Sequence, residues 1–187
     1  YEENGALSLD TTYTVKVPDL TFDRAAVEAD TKATFVSVAG QNINEVTAKT
    51  TYAEKTVNFE ATAKQPDRSL DAGGSLVLHP DHQEVHLTRL GLTAGQQQWT
   101  IAPDSAPVIN YAADAIAVEK LRLRNGDQEI SADGRFGQPG DALNVTLSNV
   151  DLAGVDALLL REPQFSGRLN ASAAVSGTKA APAASGK

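Results

Sequence analysis

The chain of 187 residues contains no cysteine. That excludes disulfide frameworks, thiolate zinc sites and cysteine nucleophiles together, and it fits an oxidising compartment without placing the chain in one. Methionine is absent too, even at position 1, so the expectation is a processed chain or a piece cut from a longer protein. No run approaches the roughly 18 apolar residues of a membrane-crossing helix. Basic residues are outnumbered, 16 Lys and Arg against 24 Asp and Glu, and no basic cluster offsets the formal charge of −8. Unassisted binding to nucleic acid or to an anionic membrane is therefore disfavoured. Aromatics make up only 5%. The large apolar residues are 18 Leu, 15 Val, 5 Ile and 5 Phe, about 23% of the chain and just above the roughly 20% below which chains stay disordered. One sizeable domain, or an extended piece of something larger, is within reach.

What is abundant is period-two alternation. Val57, Phe59, Ala61 and Ala63 alternate with Asn58, Glu60, Thr62 and Lys64. Leu143, Val145 and Leu147 do the same with Asn144, Thr146 and Ser148, as do Leu169, Ala171, Ala173 and Val175 with their neighbours. This is the pattern of strands in a sheet wet on one side, and frequent Thr suits it. Turn signals punctuate the strands at Asn4-Gly5, Gly73-Gly74, Pro80-Asp81, Asn125-Gly126 and Pro139-Gly140. Asn125-Gly126 predicts a hairpin with a tight primed turn. Helical signals are confined to Phe22–Glu28 and Val155–Arg161, each one or two turns. From Thr178 the run TKAAPAASGK is small, polar and without period, which predicts a loose tail or linker over 178–187. The expected fold is all-β, with 1–177 as one unit.

Four segments share the pattern apolar-x-apolar-x-x-apolar-x-apolar: Val15–Phe22, Val85–Leu92, Ile116–Leu123 and Val145–Leu152. In a regular strand the two apolar pairs would face opposite ways, because the extra residue shifts the parity. A bulge absorbs that residue and returns both pairs to one face. The inserted positions are Pro18-Asp19, Thr88-Arg89, Glu119-Lys120 and Ser148-Asn149. The expectation is of long, bent strands, each with one apolar stripe, forming a curved antiparallel-type sheet with an apolar concave face. The repeat is weakest over Tyr1–Ala63.

The run LNVTLSNVDLAGVDALLLREPQFSGRLNASAAVSGT resembles the repeat of the TamB and AsmA-like family of diderm bacteria. The residues that carry the likeness are Val150-Asp151-Leu152, Leu158-Leu159-Leu160, Gly167-Arg168-Leu169-Asn170-Ala171, Ser176-Gly177-Thr178 and Pro182. The stretch LRLRNGDQEISADGRF is similar to a hairpin of the same family. The likeness is closest over roughly 115–178. It implies a taco-like open β-groove that conducts phospholipids across the periplasm, in a protein anchored in the inner membrane and supporting outer-membrane assembly. An Omp85-type (TamA-like) outer-membrane protein is the implied partner. Neither the anchor nor the partner-facing segment of that pattern is recognisable in these residues, and the expectation is that such contacts belong to other parts of a full-length protein.

Chemistry-bearing motifs are few. His79-Pro80-Asp81-His82-Gln83-Glu84-Val85-His86 holds all three histidines and two acids. His82, Glu84 and His86 share parity at steps of about 7 Å, neighbours of a kind that can hold zinc or copper. The same alternation puts them on the wet face opposite Val85 and Leu87, and that reading predicts no metal. No G-x-S-x-G frame exists, and Gly73-Gly74-Ser75 has no phosphate-loop lysine after it, so neither catalysis nor a cofactor is expected. The sequons at Asn144 and Asn170 read as incidental. Trp99 reads as a packing residue near an edge, with a lipid-facing role as the alternative.

The candidate site is therefore the stripe itself: Val85, Leu87, Leu90, Leu92, Ile116, Val118, Leu121, Leu123, Val145, Leu147, Val150 and Leu152. Eight residues span about 26 Å, near the length of an acyl chain. Burying about 14 methylenes there is worth roughly 11 kcal/mol gross, before ordering costs. Two other readings stay open. One is a chaperone-like module that lends strand edges to outer-membrane β-barrel chains. The other is a closed structural β-sandwich, whose core the same alternation would fill.

Overall fold

The alternating, Thr-rich segments become strands almost wherever they occur. The computed structural model describes residues 5–20, 25–38, 41–153 and 166–187. The strands are β1 (Gly5–Lys16), β2 (Ala26–Val38), β3 (Gln41–Ala53), β4 (Thr56–Gln65), β5 (Arg68–Leu78), β6 (His82–Ala94), β7 (Gln97–Ile101), β8 (Val108–Ala112), β9 (Ile116–Asn125), β10 (Gln128–Phe136), β11 (Ala142–Asp151), β12 (Arg168–Thr178) and β13 (Ala181–Gly186). They form one 13-stranded sheet in which consecutive strands pair antiparallel, except between β6 and β9. There β7 and β8 share a single row: β8 pairs with the first half of β6 and β9, and β7 with their second halves.

The expected bulges occur at three of the four repeats. β5 and β6 shift register so that Gly73 faces Arg89 and Gly74 faces Leu87, leaving Thr88 as the extra residue. β9 and β10 shift between Leu121 and Val118, at Glu119-Lys120. β11 and β12 shift between Leu147 and Val150, at Ser148-Asn149. The first repeat departs from expectation. β1 ends at Lys16, Pro18–Leu20 forms a 3₁₀ turn, and Thr21 and Phe22 lie outside the described residues. Proline at an insertion removes a ladder donor, and here the strand stops instead of bulging. The fifth residue of the pattern is left-handed in three of the four segments, with φ of 51° at Asp19, 53° at Lys120 and 55° at Asn149.

Other expectations need correction. Gly73-Gly74 is not a turn but lies inside β5, opposite the β6 bulge. A Cβ on Gly74 would sit 2.1 Å from the carbonyl oxygen of His86, so only glycine admits the displaced backbone. Ala26–Glu28, expected to be helical, are extended and pair with β1, whereas Val155–Arg161 lies outside the described residues. The 178–187 tail is not loose: Ala181–Gly186 forms β13 and pairs with β12. An edge strand is held by backbone bonds, so small side chains and Pro182 suffice. The β9–β10 hairpin forms, but Asn125 pairs with Gln128, so its loop is Gly126-Asp127 with Gly126 at φ 60°.

A single layer cannot bury its apolar face on a second sheet. The accessible surface is 11944 Å², against about 8,600 Å² for a compact monomer of this mass. A small buried cluster sits around the β7–β8 row: Ala94, Trp99, Ala102, Pro107, Ala115 and Val118. Val150 is buried on β11. No closed two-sheet sandwich exists among the described residues.

Candidate functional site

The register places the stripe residues on one face. Across β5 and β6, Leu70, Ala72, Gly74 and Leu76 stand opposite Leu92, Leu90, Leu87 and Val85. Across β9 and β10, Ile116, Val118, Leu121 and Leu123 stand opposite Phe136, Gly134, Ala132 and Ile130. Val145, Leu147 and Val150 then meet Ala173, Ala171 and Leu169. The bulges thus restore parity in each of the three strands. Leu152 falls outside this arrangement: it lies past the end of β11, and its N–H donates to the Gly167 carbonyl. Of the twelve residues, Val118 and Val150 are buried and the other ten are half-buried.

The face extends beyond those twelve. Val57 and Phe59 of β4 pair with Leu76 and Gly74, and Ile109 of β8 lies between Val85 and Val118. Trp99 belongs to it as well, paired with Leu92 in an interior row and not near a sheet edge. It is 1% exposed, and its Nε1–H has no acceptor among the described residues. The signal for most of these residues was plain alternation; for β7 and β8, five residues each, the runs are too short to carry one.

Two contacts bend the sheet toward this face. Gln97 of β7 donates from Nε2 to Oδ2 of Asp151 in β11 at 3.3 Å, although two strands lie between. On a flat sheet those strands would be about 14 Å apart. At the other end Lys179 donates to the carbonyls of Ala112 (3.3 Å) and Ala113 (2.8 Å) and sits 5.0 Å from the Tyr111 ring centre. Flat spacing from β8 to β12 would be about 19 Å. Gln97 shares parity with Trp99, and Tyr111 with Ile109, so both contacts start from the apolar side, with Asp151 at the end of β11 next to Val150. Gln97 also accepts from Asn125 Nδ2 and from Gln128 Nε2, and Gln128 accepts from the Asp151 N–H, so a bonded polar rung ends the apolar face there.

The opposite face is charged. Arg122 pairs with Asp104 (2.6 Å) and Glu129 (3.1 Å), Lys32 with Glu45 (2.6 Å) and Arg168 with Asp127 (2.9 Å). These partners hold each of the four carboxyls below its ordinary range, chiefly through the side-chain hydrogen bond to the cation.

The histidine segment lies on this polar face, but its geometry is tighter than alternation alone implies. The His79 N–H donates to the His82 carbonyl at 3.0 Å, so the Pro80-Asp81 turn folds His79 back onto His82. The two rings stack at 4.4 Å. Glu84 is the hub: its carboxylate lies 3.9 Å from His79 Nε2, 3.4 Å from His82 Nε2 and 3.2 Å from His86 Nε2. Asp81 Oδ1 lies 2.9 Å from His82 Nδ1. The Asp81 hydrogen bond raises the His82 pKa, and the hydrogen bonds of His86 and His82 lower that of Glu84. His79 joins through a turn and not through parity, so alternation does not reveal it.

No family model matches the chain, and neither a curated protein nor a solved structure does.

Proposed function

We propose that this chain is a non-catalytic β-groove segment that binds acyl chains along its apolar face and conducts phospholipids between the inner and outer membranes. The observation that carries the reading is an apolar face continuous from β4 to β12 and left mostly half-buried in a single layer. The bend toward that face supports a trough in place of a flat plate. Equivalent bulged stripes on β6, β9 and β11 support movement along it, because a conduit needs similar affinity at successive rungs. Periplasmic location and a part in outer-membrane assembly follow from the resemblance to TamB and AsmA-like proteins.

The test is photo-crosslinking in cells with the probe at Leu121 or at Arg122. Leu121 is on the apolar face, and Arg122 is tied to Asp104 and Glu129 on the other. Phospholipid adducts at Leu121 and few at Arg122 are expected. Adducts at neither, with Leu121 crosslinking only within its own chain, would overturn the reading. The outer edge of β1 pairs with no described strand, which favours strand lending to barrel chains as the second reading. That activity would survive Leu121→Asn, whereas lipid binding would not.

A further inference from the structure

We propose that His79, His82 and Glu84 form a zinc site on the polar face, with Asp81 and His86 orienting its ligands. One ligand atom from each of the three lies within 4.8 Å of the others. Tetrahedral zinc with bonds of about 2.0–2.1 Å sets its ligand atoms about 3.4 Å apart. The separations are 3.4 Å from His82 Nε2 to Glu84 Oε1 and 3.9 Å from His79 Nε2 to Glu84 Oε2, so seating both histidines on one oxygen needs a turn of the carboxylate. The side chains of His79, His82, Glu84 and His86 are 30–42% exposed and that of Asp81 is 83% exposed, so small rotations are open to them.

The hydrogen bonding also leaves room for a cation. When His82 donates its Nδ1–H to Asp81, its Nε2 carries a lone pair facing a carboxylate oxygen of Glu84. In that neutral form two acceptors oppose each other, and either a second ring proton or a metal ion between them satisfies both. A carboxylate on the far ring nitrogen is the usual support of a metal-bound histidine. Asp81 supplies it for His82, and His86 fixes Glu84 from the other side.

A second observation comes from the neighbouring strand. Asn110 of β8 pairs directly with Glu84, and its Oδ1 is buried without a hydrogen-bond partner among the described residues. Asn110, His82, Glu84 and Asp81 line one depression of about 440 Å³, with His79 stacked on His82 outside its lining. Three protein ligands leave a fourth position open for water, and a zinc-bound water donates to such an acceptor. Imidazole with a single carboxylate suits Zn²⁺ far better than Mg²⁺ or Ca²⁺, which favour all-oxygen shells.

The experiment is calorimetric titration of the metal-free chain with zinc chloride at neutral pH, with histidine ring NMR shifts followed in parallel. One equivalent of Zn²⁺ should bind saturably and perturb the His79 and His82 rings, while magnesium chloride gives no response. His79→Ala, His82→Ala and Glu84→Gln should each weaken binding at least about tenfold, and Asp81→Asn by roughly 10-fold or more through its hold on His82. Far-ultraviolet circular dichroism of each variant separates lost ligands from lost fold. Absence of saturable binding would overturn the site. Zinc binding unchanged by His79→Ala would also overturn it, assigning the ion to the His82–His86 strand pair alone.

Discussion

Lys120 and Asn149 hold left-handed backbone, which a residue with a Cβ seldom adopts without compensation. The compensation is local. A bulge leaves one N–H outside the ladder, and in both strands a side chain on the next strand accepts it. The Lys120 N–H donates to Asp133 Oδ2 at 3.0 Å, and the Asn149 N–H to Asn170 Oδ1 at 2.8 Å. Asp133→Ala and Asn170→Ala should each lower stability in urea by about 1 kcal/mol, the usual net worth of such a bond. Asp133→Asn, whose amide oxygen still accepts, should stay close to the parent. Equal losses for Asn and Ala at 133 would mean that charge, and not the acceptor, is what matters. The bulge positions were legible because an inserted residue changes parity. Their partners were not, since Asp133 and Asn170 stand 13 and 21 residues away, at no common offset.

Between β6 and β9 the elements depend on a tie that alternation could not reveal. The loop joining β7 to β8 is bonded on both sides: the Ala102 N–H donates to the Arg122 carbonyl at 2.9 Å, and the Leu87 N–H to that of Pro107 at 3.0 Å. Ser105 donates to the Lys120 carbonyl. Arg122 adds an ionic clamp, joining Asp104 of the loop to Glu129 of β10. Both carboxyls are held below their ordinary values, with the Arg122 hydrogen bond as the first cause. For depressed carboxylates the stabilising contribution is complete above the unfolded pKa, near 4, and is lost as pH falls through the lower folded value. The urea midpoint should therefore fall as pH drops below about 4, and Arg122→Met should flatten that fall. An unchanged pH slope in Arg122→Met would show that the clamp contributes nothing. Short β7 and β8, the glycine pair inside β5 and the small-residue β13 all escaped the sequence reading for one reason. Their positions are set by backbone pairing with neighbours and not by side chains of their own.

At the scale of the molecule, the two halves of the sheet treat the apolar face differently. From β7 to β12 it is bent over and pinned by contacts between residues 54 and 67 positions apart. Such contacts are what separate an open bent sheet from a shut sandwich, and alternation is the same in both, so alternation revealed the all-β class while the expectation of one curved sheet came from the bulged repeats and the family resemblance. In β1 the side chains on this face have no second layer: Leu7 is 78%, Leu9 68% and Tyr13 69% exposed. Their strand is also an edge, with a row of backbone groups that no described strand pairs. An apolar row along an unpaired edge favours pairing with another chain. The chain should accordingly self-associate as concentration rises, read by sedimentation velocity. Leu9→Lys combined with Tyr13→Lys should return it to monomer with strand content unchanged, because neither side chain is buried and charge on an edge opposes pairing. If the double variant associates as the parent does, the adhesive surface lies elsewhere, with the outer edge of β13 the next to block. Its side chains are exposed throughout, so association there would run through backbone bonds alone and would be insensitive to the charge placed on β1.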